Sequence, residues 1–430
     1  MTRPRPDGAA PRGLILLMSV ATGLAVAGNY FTQPLLDLIG RELGLSPALA
    51  ALTVTAAQGG YALGLILLVP LGDLVERRRL AVSLYAATAL FLLVSAAAPG
   101  GTVLMVGTAL TALTSVGAQV LVPFAVTLAA PAERGRVVGT VMTGLLLGAL
   151  LARTAAGALA EVGGWRTVYW VNAALMAGTA VLLRIHLPRL GGDGRRLSYP
   201  GLLRSTVLML RDEPLLRWRS GIAALSMAAF SVLWTALTFL LVRSPYGWSE
   251  STIGLFGLVG AAGALTASLT GRLADRGHAQ LLTAAGAVAL AASWIALAAG
   301  STSLVWLLVG VIVLDLAHKM VLNGNQHVVY ALRPEARNRI NSAFMTSFFA
   351  GGAAGSALTS VVWVRGGWTG VCVLGAVLSV GTFVLWGLER ISMNKENENV
   401  THRFDNRRDR NRVQRSNGVP EREEHPSPRP

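Results

Sequence analysis

Three ionisable side chains sit deep inside apolar runs and set the chemistry open to this chain: Arg153, Asp315 and Lys319. A charge in hydrocarbon costs several kcal/mol unless it is paired or reaches water, so each demands a reason. Arg153 lies about 17 residues into its run and Asp315 about 13 into another, which puts both near mid-membrane at 1.5 Å per residue. A carboxylate at that depth can load a proton from one side and release it to the other, which makes Asp315 the candidate proton carrier. Lys319 is one helical turn on, so an i, i+4 ion pair would satisfy both without any transport role, and substrate binding is a third use of the carboxylate. Similar depth also allows Arg153 to partner Asp315, to bind an anionic substrate, or to snorkel outward. His318 adjoins these charges, and an imidazole ordinarily titrates near neutral pH.

Around them is a set of uncharged polar and aromatic residues: Asn29, Tyr30, Gln33, Gln58, Tyr61, Gln119, Trp234, Thr235 and Asn323. Aromatic walls with a few amides suit a moderately apolar organic solute. The same residues can hydrogen bond between neighbouring helices instead. Glycines at spacings of three or four bare a side of their runs, as at Gly144 and Gly148 in one, which also holds Gly157 as a packing candidate, and Gly254, Gly257, Gly260 and Gly263 in another. Close backbone approach follows, for sliding or for static packing.

The elements that must position these groups are membrane helices. The chain of 430 residues is 53% hydrophobic and 14% charged, a composition a soluble surface does not tolerate. Segmentation at charges, Pro and Gly predicts twelve spans: 13–36, 47–71, 80–98, 102–126, 136–160, 166–186, 220–242, 251–271, 281–299, 303–324, 340–361 and 368–388. The first is too long and too polar for a cleaved signal peptide. With both termini inside, cytoplasmic loops and tails hold 31 Lys and Arg and external loops four, and this asymmetry predicts a cytoplasmic N- and C-terminus.

Domain organisation follows. Residues 1–12 form a cytoplasmic tail, 13–186 and 220–388 form two six-helix bundles, and 187–219 forms a basic cytoplasmic linker. In that linker Leu202, Leu203, Val207 and Leu210 share a helical face suited to an anionic leaflet. Residues 389–430 turn to Asn, Arg, Glu and Pro, a composition that predicts disorder. A net charge of +15 confined to loops and tails argues against nucleic acid. The single Cys372 excludes an intrachain disulfide and thiolate metal sites, and no metal site is expected from the histidines either. No P-loop and no Gly-x-Ser-x-Gly elbow occurs, so neither direct ATP use nor an enzyme is expected. No cofactor is expected, and a proton gradient is the anticipated energy source.

The two bundles are one unit written twice. Pro70 to Arg79 is echoed by Gly271 to Gly277, with Leu71 and Asp73 matching Leu273 and Asp275. The match continues through Pro131 and Pro334, Arg134 and Arg337, Arg136 and Arg339, Met142-Thr143 and Met345-Thr346, Gly148 and Gly351, and Gly164-Trp165 and Gly367-Trp368. Asp73, Arg77, Arg78, Asp275 and Arg276 would form cytoplasmic gate loops, with weak ion pairs latching one bundle on the other.

Twelve spans in two halves, charged loops after the second and eighth, and a long basic central loop together resemble the major facilitator superfamily over residues 12–388. Its loop signature, Gly-x-Leu-Ala-Asp-Arg-x-Gly-Arg-Arg, is kept at Leu71, Asp73, Arg77 and Arg78, with Val69, Leu74 and Glu76 departing from it. The second copy keeps Gly271, Leu273, Ala274, Asp275 and Arg276. Asn29 to Pro34, Gly144 to Gly148 and Ala152-Arg153-Thr154 resemble the bacterial drug and metabolite efflux branch. The fourth span, however, lacks the arginine that often serves proton coupling there. The resemblance implies cavity-lining first, fourth, seventh and tenth spans, a gating fifth span, and a monomer in the bacterial inner membrane that exports a small organic molecule in exchange for protons. Proton-coupled uptake and a non-transporting scaffold or sensor are the alternatives.

Overall fold

In hydrocarbon each backbone amide must find its partner within its own segment, and this chain meets that demand with helices. The computed structural model describes the backbone of residues 11–130, 133–189, 198–260, 270–333 and 337–416, and no strand occurs among the described residues. The side chains of Asp73 and Asp275, and all of Gly263, lie outside the described residues.

The first expected span is broken. Helix α1 (Arg12–Ala27) loosens over 28–32, passes through a 3-10 turn at Gln33–Leu35 and resumes as α2 (Leu36–Leu43), which Gly44 ends in the left-handed region. Pro34 offers no amide to the turn before it, which explains the break. Ser46 caps α3 (Pro47–Leu67), and the 3-10 segment Val69–Asp73 leads to α4 (Arg77–Ala96). The fourth expected span is split at Ser115 and Val116 into α5 (Gly101–Thr114) and α6 (Gly117–Leu128).

The fifth and sixth expected spans form one hydrogen-bonded run, α7 (Arg134–His186), bent where Gly163 and Gly164 leave helical geometry, Gly164 at φ 75°. The second half repeats the plan with α9 (Pro214–Leu241), α10 (Glu250–Phe256), α11 (Ala279–Ala299), α12 (Leu304–Ala331) and α13 (Arg337–Ser416), which turns at Gly367 with φ 52°. The tryptophan after each bend anchors it: Trp165 donates to Glu42 at 2.8 Å and Trp368 to the Leu297 carbonyl at 2.8 Å. Among the described residues eight stretches are long and apolar enough to cross a membrane, and two of them, Arg134–His186 and Arg339–Asn394, hold a pair of spans across such a bend. The whole is the all-α, twelve-helix arrangement of two bundles that the sequence predicts.

Each bundle is held by the same close crossing. A Cβ on Gly148 would lie 2.2 Å from the Gly23 carbonyl oxygen, so α1 and the first arm of α7 touch backbone to backbone. Gly351 and Gly355 of α13 meet the Ala224 and Ala228 backbones of α9 in the same way. Between bundles, α3 meets α13, where Ser342 donates to the Leu65 carbonyl at 2.6 Å, and α7 meets α10, where Thr154 donates to the Gly254 carbonyl at 3.0 Å.

Three boundaries differ from expectation. The linker contributes α8 (Tyr199–Asp212), which buries Leu202, Thr206 and Met209 rather than Val207, because Tyr199 fixes it on the Leu67 carbonyl at 2.8 Å. Helix α9 begins at Pro214, so Arg217 and Arg219 belong to a helix and not to the linker. Helix α13 runs on through 389–416, where composition predicts disorder, since no Gly or Pro interrupts that stretch.

Candidate functional site

A cavity of about 680 Å³ lies between the bundles. Its deep end is walled by Tyr30, Tyr61, His318 and Phe348, and it reaches Arg77 and Arg339 at the end of the molecule that carries the charged loops. The ring of His318 stacks between Phe230 at 4.6 Å and Phe348 at 5.6 Å while its Nδ1 meets the Ser226 hydroxyl at 2.9 Å. Phe348 stands edge-on to Phe349, which in turn packs on Tyr61 at 4.4 Å. The wall is therefore aromatic on both bundles.

Beyond that deep end the intramembrane charges meet around one indole. The guanidinium of Arg153 lies 3.9 Å from the centre of the Trp234 ring and 4.9 Å from that of Tyr30, and its Nε donates to Gln33 Oε1 at 2.8 Å. The edge of the same indole donates from Nε1 to Asp315 Oδ1 at 3.3 Å. Trp234 thus takes a cation on its face and a carboxylate on its N–H, the two polarities an indole can satisfy. Arg153 comes from the first bundle, Trp234 and Asp315 from the second, and all three are buried. Glycines make the room: a Cβ on Gly257 would strike the Arg153 stem at 2.8 Å, and one on Gly260 would come within 2.6 Å of Asp315 Oδ2. Arg153 Nη2 and Gln33 Nε2 are buried donors with no acceptor among the described residues.

The end opposite the charged loops is shut by contacts between bundles. Arg41 of α2 binds Glu250 of α10 at 2.7 Å, and Asp37 holds Arg41 from behind at 2.9 Å. Thr238 donates to the Gln33 carbonyl at 2.8 Å. The cavity is therefore open toward one end and closed at the other, with the buried charges Arg153 and Asp315 in the closed part.

A sequence model of the Major Facilitator Superfamily matches residues 18–355. The chain belongs to the major facilitator superfamily. A chain of Escherichia coli named as a transporter, YgaY, is 50% identical over 386 residues, covering 90% of this chain and 97% of its own. Another from Streptomyces coelicolor, named as transporter SCO4007, is 36% identical and covers 87% of each. Among solved structures, a bacterial homologue of the human lysosomal transporter Spinster, in an inward-facing and occupied conformation, superposes with a TM-score of 0.66 at 16% identity, covering 87% of this chain and 94% of its own. This superfamily chain is thus a membrane transporter, which is not an enzyme class.

The expected site residues separate into groups. Asn29, Tyr30, Gln119, His318, Lys319 and Asn323 line the cavity, with Gln119 donating to the Tyr61 hydroxyl at 3.5 Å and Asn323 to Thr270 at 2.6 Å. Gln33 and Trp234 stand behind it with Arg153 and Asp315. Gln58 does not belong to the cavity: it is buried beside Gly352 and Ser231 at the crossing of α3 with α13, both its amide atoms unpartnered among the described residues. Lys319 forms no ion pair with Asp315 among the described residues, because the carboxylate turns toward the indole. Gly144, Gly148 and Gly157 lie at close backbone crossings, the last against the Glu250 backbone, whereas Gly260 leaves space for a carboxylate. Of the loop arginines, Arg77 lines the cavity, Arg78 donates to the Arg184 carbonyl of its own bundle, and Arg276 is exposed. Among the described residues these arginines make no ion pair between the bundles, and their expected partners, the side chains of Asp73 and Asp275, lie outside the described residues.

Two features escape a reading of the sequence. The Arg41 and Glu250 pair looks like two ordinary loop charges, and only the fold brings them together. Arg219 and Glu389, assigned to the linker and the tail, form an ion pair at 2.7 Å with side chains 0% and 1% exposed. Gln280 accepts from the same guanidinium at 2.6 Å, and Thr283 and Asn325 lie at 3.4 and 3.3 Å. The network ties the start of α9 to α11, α12 and α13.

Proposed function

We propose that this chain is a proton-coupled secondary transporter that moves a small organic solute by alternating access, with Asp315 as the proton carrier. The observation that carries this reading is the relay Arg153, Trp234, Asp315, buried at the closed end of the cavity and drawn from both bundles. A proton on Asp315 removes the charge that Arg153 and the indole N–H are set against, so protonation changes the force between bundles at the place where they must part. The uneven distribution of Lys and Arg supports the end carrying Arg77 and Arg339 as the cytoplasmic one in the inner membrane, and hence an inward-open state.

The efflux resemblance supports exchange of the solute for a proton, that is, export. A second reading, in which solute and proton travel together, is favoured by one observation: Asp315 stands behind Trp234 and does not line the cavity. Proton and solute then need not compete for one place, as exchange requires.

Purified protein in liposomes with a pH-sensitive dye inside tests the common core of both readings. Lipophilic cations, sugars and amphiphilic metabolites are added in turn to wild type and to Asp315→Asn. Proton movement evoked in wild type and abolished in a folded Asp315→Asn is expected. Continued proton movement in the variant would make Asp315 structural.

A further inference from the structure

The charge of the cavity wall selects its solute. Among the described residues that line it, the charged ones are Arg77, Lys319 and Arg339, and there is no Asp or Glu. The two at the mouth reach water and serve to attract. Lys319 is different, because it lies one turn from the buried Asp315 and half-buried at the deep end. Its nearest carboxylate along the helix, Asp315, acts on it by charge from one turn away but gives one oxygen to the Trp234 N–H at 3.3 Å, and no ion pair to Lys319 forms among the described residues. Its neighbours His318 and Asn323 supply no negative charge.

An ammonium at this depth that its one nearby carboxylate attracts without contacting is only partly compensated, and a negative group entering the cavity adds to that compensation. Beside it stands the aromatic wall of Phe230, His318, Phe348 and Phe349, whose faces suit a ring or a flat hydrocarbon. Resting on the transport reading above, we infer that the solute is an organic anion with a flat apolar body, its anionic head on Lys319 and its body against Phe348. Lipophilic cations, the usual load of multidrug export, are repelled by the same wall.

Leu322, one turn from Lys319 on the cavity wall, gives a probe of this charge that needs no known solute. In a Cys372→Ser background, Leu322→Cys is reacted in nanodiscs with an anionic and a cationic methanethiosulfonate of matched size, each rate divided by its rate with free cysteine. The anionic reagent is expected to be favoured by at least about tenfold, as a focused cationic cleft favours its counterion. That preference should fall toward parity with Lys319→Gln and persist with Lys319→Arg, the retained rate of a neutral reagent reporting an intact fold. A normalised ratio at or below one overturns the inference.

The second arm measures protection of the same cysteine from the neutral reagent by 4-phenylbutyrate and 4-phenylbutylamine, which share a body and differ in head charge. Protection by the carboxylate alone, lost in Lys319→Gln, is expected. Equal or better protection by the amine overturns the assignment. Neither readout requires transport, so a protein that prefers the anion yet moves no protons in liposomes would sink the proton-coupled reading and leave the anion-selecting cavity standing.

Discussion

At the scale of single residues, depth in the membrane was legible in the sequence and partnership was not. Arg153 and Asp315 are visibly buried because each interrupts an apolar run, but their meeting depends on the rotation of three helices about Trp234, which hydropathy does not encode. Arg219 and Glu389 failed to stand out for the opposite reason. A charge near the end of an apolar run reads as its boundary, although the helix carries it one or two turns further into the protein. This pair yields a clear expectation. Arg219→Met alone should destabilise the protein by about 3 to 5 kcal/mol by leaving Glu389 buried and unpaired, and Glu389→Gln alone should do likewise. The double variant should recover most of that loss, as read from thermal unfolding in detergent, and a double variant no better than either single one would refute a paired role.

At the scale of helices, the repeat carried most of the prediction. Gly164-Trp165 and Gly367-Trp368 mark the same bend in each half, and in each the indole N–H fixes the turn. What the pattern missed were breaks inside spans, at Asn29 to Gln33 and at Ser115, since no charge falls at either and uncharged polar residues within a long run do not end a predicted span. The glycine pattern was legible as close approach, yet its partners had to be seen. Gly148 lies against Gly23 with no room for a methyl group, whereas nothing approaches within 4 Å of a Cβ on Gly366. Gly148→Val is therefore expected to cost about 1 to 3 kcal/mol through a forced separation of α1 from α7, and Gly366→Ala to be near neutral. Comparing the yields of folded, monodisperse protein for the two variants checks this; equal yields would mean the crossing tolerates separation.

At the scale of the whole molecule, two bundles meet at a closed end, held by Arg41 with Glu250, and diverge around a cavity at the other. Opening the closed end has to break that exposed ion pair and part Arg153 from Trp234. The first is worth little, since Arg41 is 62% exposed, and the second carries the larger share because it lies away from solvent. The cationic lining has a consequence for membrane voltage. If Asp315 carries the proton and an anion sits on Lys319, as proposed, the ionised carboxylate competes with the anion for the pull of Lys319 and Arg153, so protonating it strengthens the hold on the anion, which favours the reading in which the two travel together. One proton carried with one monovalent anion adds no net charge to the moving site. Exchange of the same two species would instead move two charges in one direction, worth about 4.6 kcal/mol per 100 mV. Uptake of a labelled anionic solute by liposomes should then be indifferent to a potassium diffusion potential set with valinomycin, and a rate that climbs steeply with voltage would mean that proton and anion pass in opposite directions.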